Sequence, residues 1–185
     1  NDSDTEATGV SVKSTVYNKE SDVISTQTDD ITVAAGKTET ISQSVDVANP
    51  KLWSVDSPNL YWVRTEIIQN GKVVDRTDSR FGIRYIATNP NSGFYLNGVH
   101  TKLNGVCEHS DLGSLGMETY QAAVDRRIRT LKKYGVNAIR TSHNPVSPEF
   151  IEACDRLGML VFEEAFDQWL YSKNSDDYHN YFNKA

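Results

Sequence analysis

The chain predicts two domains of different class: an immunoglobulin-like β-sandwich over residues 1–88, then parallel βα units over residues 89–185. Three observations predict it. Apolar and polar residues alternate in the first half, with no helical periodicity. The turn-rich run Thr88-Asn89-Pro90-Asn91-Ser92-Gly93 then marks a shift in composition. Beyond it, short apolar strands alternate with amphipathic helices. That order implies parallel strands joined by right-handed crossovers.

The first elements are β-branched strands. After a polar opening, Val10, Val12 and Val16 alternate with Ser11, Lys13 and Ser14. Ile31 and Val33 alternate again, as do Ile41, Val45 and Val47, with Ala35-Gly36-Lys37 as a turn. From Leu60 to Phe81 the pattern is a hairpin. Val63, Thr65 and Ile67 run out, Asn70-Gly71 supplies a type I′ turn, and Lys72-Val73-Val74 runs back. Short strands separated by turns fit a sandwich. Trp53, Tyr61 and Trp62 could stack on a sugar, but aromatics in such a loop more often fill a sandwich corner.

In the second half, Phe94 to Leu103 reads as another hairpin about Asn97-Gly98. Val106-Cys107-Glu108 is a strand that ends in His109, Ser110 and Asp111. Met117 to Tyr134 predicts a helix, with Tyr120, Val124, Ile128, Leu131 and Tyr134 forming one stripe. Arg126, Arg127, Arg129, Lys132 and Lys133 are its solvated faces, and Gly135 stops it. Val136 to Thr141 is the next strand. Ser147, Pro148 and Glu149 open a helix to Leu157, with Phe150, Ile151, Cys154 and Leu157 inward and Gly158 as its stop. Met159 to Phe162 is a near-continuous apolar run, as in a strand covered on both faces, and it ends in Glu163-Glu164. Tyr171 to Ala185 suggests one more helix. Three strands cannot close a barrel, so further βα units are expected to follow.

Composition removes several classes. Hydrophobic content is 38% and charged content 24%, which fits a globular chain. A net charge of −6 argues against nucleic acid or an anionic membrane as partner. No apolar run approaches membrane-spanning length. No n-region and h-region open the chain, so no signal peptide is expected within it. Cys107 and Cys154 make neither a disulfide framework nor a metal motif. No cofactor is implied.

The chemistry gathers at strand ends. Three successive strands end in His109 and Asp111, in Arg140, His143 and Asn144, and in Glu163 and Glu164. Polar groups at the same end of adjacent parallel strands converge on one crevice. Glu163 and Glu164 are neighbours, so they point to opposite faces. They cannot flank one sugar at the roughly 5 Å that a retaining carboxylate pair needs. No compact His/Asp/Glu spacing suggests a metal. An esterase would need a Gly-x-Ser-x-Gly elbow, and the sequence has none.

The run Asn137-Ala138-Ile139-Arg140-Thr141-Ser142-His143-Asn144-Pro145, continued through Phe150-Ile151, Asp155 and Gly158-Met159-Leu160-Val161-Phe162, resembles the signature of glycoside hydrolase family 2. Gly105 to Gly113 resembles the end of that family's first barrel strand, and Leu52 to Tyr61 its immunoglobulin-like domain. Asn144 stands where many members carry Tyr. The family holds β-galactosidases, β-glucuronidases and β-mannosidases.

The resemblance implies an immunoglobulin-like β-sandwich followed by the first three βα units of a (β/α)8 TIM barrel. It implies a piece of a retaining β-glycosidase, most nearly β-galactosidase-like. The family's acid/base Glu follows an Asn, and no Asn-Glu pair occurs here. That Glu and the nucleophile would lie outside this chain. His109, Arg140 and His143 would line the sugar subsite, with Arg140 orienting the nucleophile and His143 meeting sugar hydroxyls. Asp111, Asn144 and Glu164 join them as substrate-binding candidates. No metal ligand is implied, since Glu-x-His does not begin at Glu164. The expected partners are a β-glycoside, the remaining domains of the parent enzyme, and a second copy through an exposed barrel edge. Localisation stays open, with the periplasm or the cell exterior favoured for a polysaccharide-degrading bacterium. The alternative is a carbohydrate-binding or scaffold module without catalysis.

Overall fold

The computed structural model describes residues 1–165. The helix expected over Tyr171 to Ala185 lies outside them. The chain divides into two compact units, Asn1–Ile86 and Ala87–Ala185.

In the first unit, β1 (Ala7–Tyr17), β2 (Val23–Val33), β3 (Tyr61–Gln69) and β4 (Lys72–Phe81) form an antiparallel sheet in the order β2-β1-β3-β4. Asn70 and Gly71 both take positive φ, the backbone a type I′ hairpin requires. Val12 and Val16 bury one face of the central strand β1. Trp53 and Tyr61 are buried as well. Tyr61 stacks on Phe81 at 5.8 Å, and its hydroxyl accepts from the Lys51 amide at 2.8 Å. These two aromatics fill the core and are not open to a sugar. Trp62 is exposed, but Arg80 lies over its ring at 4.6 Å.

Ile41, Val45 and Val47 do not enter a ladder. Their alternation is real: each is half-buried, and Ser42, Ser44 and Asp46 between them are exposed. The segment is attached by a side chain instead. Gln43 Nε2 donates to Val12 O at 3.0 Å and to Asp29 Oδ2 at 2.8 Å, while Ser14 Oγ donates to Gln43 Oε1 at 2.6 Å. Among the described residues, the first unit therefore has one laddered sheet.

A small sheet follows of β5 (Ile86–Asn89), whose first residue closes the first unit, β6 (Gly93–Leu96) and β7 (Val99–His100). Thr88 and Asn89, expected in the linker, end β5. Then come β8 (Gly105–Glu108), α1 (Gln121–Lys133), β9 (Ala138–Thr141), α2 (Pro148–Leu157) and β10 (Leu160–Phe162). The last three strands form a parallel sheet in the order β10-β9-β8. Helix α2 has the ends its sequence predicts. Ser147 Oγ accepts from the Phe150 amide, Pro148 opens the first turn, and Gly158 closes it in the left-handed region.

Helix α1 starts four residues later than the periodicity predicts. A single 3-10 turn, Gly113–Leu115, precedes it, Gly116 takes positive φ, and the extended Tyr120 is its N-cap. The stripe narrows accordingly. Val124 and Ile128 are buried, whereas Tyr120 and Tyr134 are exposed.

Register then sorts the side chains of the parallel sheet. Val106, Ile139 and Val161 share one row, and all three pack with Val124, Ile128, Phe150, Ala153 and Cys154 of the helices. Cys107, Arg140 and Phe162 share the next row and alternate to the opposite face. On that face of β10, Leu160 is buried and Phe162, at the strand's end, is 70% exposed. Asp125 of α1 also joins α2: Arg156 Nη2 donates to its Oδ1 at 2.6 Å, which holds the Asp125 carboxyl below the usual range.

Truncating the central row should cost most. Ile139→Ala is expected to destabilise the chain by about 2–5 kcal/mol, and Tyr134→Ala by less than about 0.5 kcal/mol, in urea titrations. The depressed Asp125 carboxyl adds stability that is present above the ordinary carboxylate pKa and lost as pH falls through its folded value. Asp125→Asn should therefore flatten the acid limb of a stability–pH curve below about pH 4.

Candidate active site

The C-terminal ends of β8, β9 and β10 lie side by side, so the loops that follow them share one edge of the sheet. Arg140 projects from the last turn of register before β9 ends, on the face away from the helices. Glu164 follows β10 by two residues and meets it. Arg140 Nε donates to Glu164 Oε1 at 2.5 Å, and Nη2 donates to Oε2 at 3.2 Å. His143 joins them, its Nδ1 lying 3.0 Å from Glu164 Oε2 and 3.1 Å from Arg140 Nη2. His109, beyond β8, packs edge to face with His143 at 6.1 Å between ring centroids.

The backbone that carries these groups is tied down. Thr141 is fully buried, and its Oγ1 accepts from the Glu164 amide at 2.9 Å. The Ser142 amide donates to Glu108 O at 2.8 Å, and the Ser142-His143 peptide is cis. Glu108 pairs with Arg127 of α1 at 2.9 Å, and a second Arg127 nitrogen donates to Asp111 O. The loop bearing His109 and Asp111 is thus fixed to helix α1.

Four of the six candidates come together: His109, Arg140, His143 and Glu164. Asp111 and Asn144 do not join them through any side-chain bond among the described residues. The Asp111 carboxylate accepts from the Gly113 amide at 3.3 Å, within its own loop. It also lines a small neighbouring cavity with His109, Arg127, Ser147 and Phe150. Asn144 is exposed. Glu163 is exposed and Glu164 half-buried, and both lie beyond the end of β10 at Phe162.

Sequence reasoning missed Cys107 and Thr141. Cys107 is the register partner of Arg140, and Arg140 Nη1 donates to its Sγ at 3.6 Å. The signal was the spacing itself. Cys107 stands two residues before His109, on the strand face that His109 continues. Thr141 lay inside the strand and read only as β-branched.

Arg140 sets the electrostatics. Its guanidinium, then His143, hold the Glu164 carboxyl below the usual carboxylate range, so Glu164 is ionised at neutral pH. Glu164 in turn raises Arg140. The same guanidinium draws the Cys107 thiol down, while burial pushes Cys154 up to about 12. Among the described residues, no group of three or more His, Cys, Asp or Glu side chains is placed to hold a metal ion. No described helix is long and apolar enough to cross a membrane.

Two family models match the chain. Residues 1–84 match glycosyl hydrolases family 2, and residues 88–179 match the TIM barrel domain of that family. The chain belongs to glycosyl hydrolases family 2. It is 44% identical to a β-galactosidase of Bacteroides ovatus over 150 residues, 81% of this chain and 18% of that relative. A β-glucuronidase of Bacteroides fragilis is 32% identical over 64% of this chain and 17% of its own length. Among solved structures, a family 2 member from Bacteroides cellulosilyticus superposes with a TM-score of 0.86 at 41% identity, covering 95% of this chain and 23% of that one. A Bacteroides uniformis β-glucuronidase superposes at 0.87 with 30% identity, covering 97% and 22%. The chain spans about a fifth of the length of these relatives. The family supplies the sandwich domain and the start of the barrel domain as the setting for the two units.

The two thiols should separate cleanly. At pH 7.5 a thiol reagent is expected to label Cys107 and leave Cys154 unmodified in the folded chain. Peptide mapping reads the site. Arg140→Gln should slow labelling of Cys107 by removing the charge that favours its thiolate.

Proposed function

We propose that this chain is part of a retaining β-glycosidase that hydrolyses terminal β-glycosides, β-galactosides above all. The observation that carries the proposal is the Arg140–His143–Glu164 cluster at the ends of β9 and β10, in a chain of family 2. Three βα units of the barrel would begin here, with β10 opening the third. His109, Arg140 and His143 are the substrate-facing groups, and Asp111 and Asn144 sit at the rim of the same loop cluster. The reaction uses two carboxylates and a covalent glycosyl-enzyme. The 185 residues contain no Asn-Glu pair, so the acid/base and the nucleophile are assigned to the rest of the parent enzyme.

One observation favours a galactoside over a glucuronide, since similarity does not separate them: a β-galactosidase is 44% and a putative β-glucuronidase 43% identical to the chain. The Arg140 charge is matched by Glu164, so the cluster offers no uncompensated cation to a sugar carboxylate. A glucuronidase reading draws on the Bacteroides uniformis structure.

The 185-residue chain is expected to give no detectable hydrolysis of an aryl β-galactoside. Burst kinetics from it would sink the assignment of the reacting carboxylates. In the parent enzyme, Arg140→Ala should lower kcat/KM for the galactoside by roughly 10²–10³-fold, as loss of a preorganised electrostatic contact does. A parent that hydrolyses the aryl β-glucuronide at higher kcat/KM than the β-galactoside would replace the substrate assignment.

A further inference from the structure

Nδ1 of His143 stands between two groups of fixed and opposite character. Arg140 Nη2, at 3.1 Å, carries hydrogens only. Glu164 Oε2, at 3.0 Å, carries lone pairs only while its carboxyl is ionised. A neutral imidazole nitrogen holds either a proton or a lone pair, so Nδ1 can satisfy one neighbour and not both.

The geometry decides between them. Arg140 Nη2 already has Glu164 Oε2 as an acceptor at 3.2 Å, so it loses little if Nδ1 does not accept. A bare Nδ1 would instead set its lone pair against a carboxylate oxygen 3.0 Å away. With the proton on Nδ1, both nitrogens donate to Oε2, and each polar atom of the triangle is satisfied. The Glu164 side chain is 20% exposed, whereas His143 is 46% exposed.

We infer that Glu164 is a positioning residue that keeps the His143 proton on Nδ1 and leaves Nε2 as a lone-pair acceptor for a ligand hydroxyl. Three of the roughly four lone-pair positions of Glu164 are then taken by Arg140 and His143. That the hydroxyl belongs to a sugar rests on the function proposed above. The proton's position does not, and it can be read without substrate or turnover.

The test is a long-range 1H–15N correlation spectrum of the 185-residue chain with 15N-labelled histidine, about two units above the ordinary imidazole pKa of about 6.5. His143→Gln assigns the signal among the four histidines. The expected result is a proton on Nδ1 of His143 in the wild type. Glu164→Ala should move it to Nε2, because Arg140 Nη2 then donates to a bare Nδ1. Arg140→Met should leave it on Nδ1, since the carboxylate acceptor remains. A wild-type proton on Nε2 would overturn the inference. So would an Nδ1 proton that survives Glu164→Ala, or one that Arg140→Met displaces. The wild-type and Arg140→Met arms still decide the matter if Glu164→Ala does not fold.

Discussion

The packing of one register row against two helices governs everything at the site. Val106, Ile139 and Val161 lie side by side across three parallel strands and are covered by α1 and α2. Side chains in a strand alternate, so burying that row sends Cys107, Arg140 and Phe162 to the other face. A one-residue slip of β9 would bury a guanidinium among Ile128, Phe150 and Met159 and expose Ile139. The cost of burying an unpaired charge excludes that register. Arg140 therefore stands on the open face because of apolar contacts it does not make.

The polar bonds beyond the strands have a different role. Arg140 and His143 are open to solvent and Glu164 is half-buried, so solvent screens much of their attraction and they add little to stability. Their value is geometric. Two parallel bonds to one carboxylate fix the plane of the guanidinium, which a single contact would leave free to rotate. Buried Thr141 fixes the Glu164 backbone, and Arg127 fixes the loop that carries His109. Each exposed group is thus held by a less exposed one.

What was legible in the sequence was whatever has a local cause. Asn70-Gly71 and Asn97-Gly98 are turns because their own backbone preferences make them so. Ser147 and Gly158 bound α2 through bonds within a few residues. The strand ends carrying His109, Arg140, His143 and Glu164 followed from short apolar runs. The illegible parts depend on distant partners or on turns that periodicity does not register. Ile41 to Val47 has strand alternation, but its attachment is one glutamine reaching Val12 and Asp29. The start of α1 is set by a 3-10 turn and Gly116, which periodicity alone passes over. The Cys107–Arg140 contact is a matter of register between strands 33 residues apart.

The state of Glu164 also separates binding from reaction. A general acid in glycoside hydrolysis needs a carboxyl whose pKa is raised, usually by an apolar setting. Glu164 has the opposite environment, with a guanidinium on both oxygens and an imidazole on one, and its carboxyl is held down. Three of its roughly four lone-pair positions accept from Arg140 and His143. Glu163 is exposed. Glu164 thus lacks the raised carboxyl that a general acid requires. Among the described residues, this edge of the sheet gathers His109, Arg140, His143 and Glu164 at the ends of three parallel strands, with the one carboxylate among them held ionised by its neighbours.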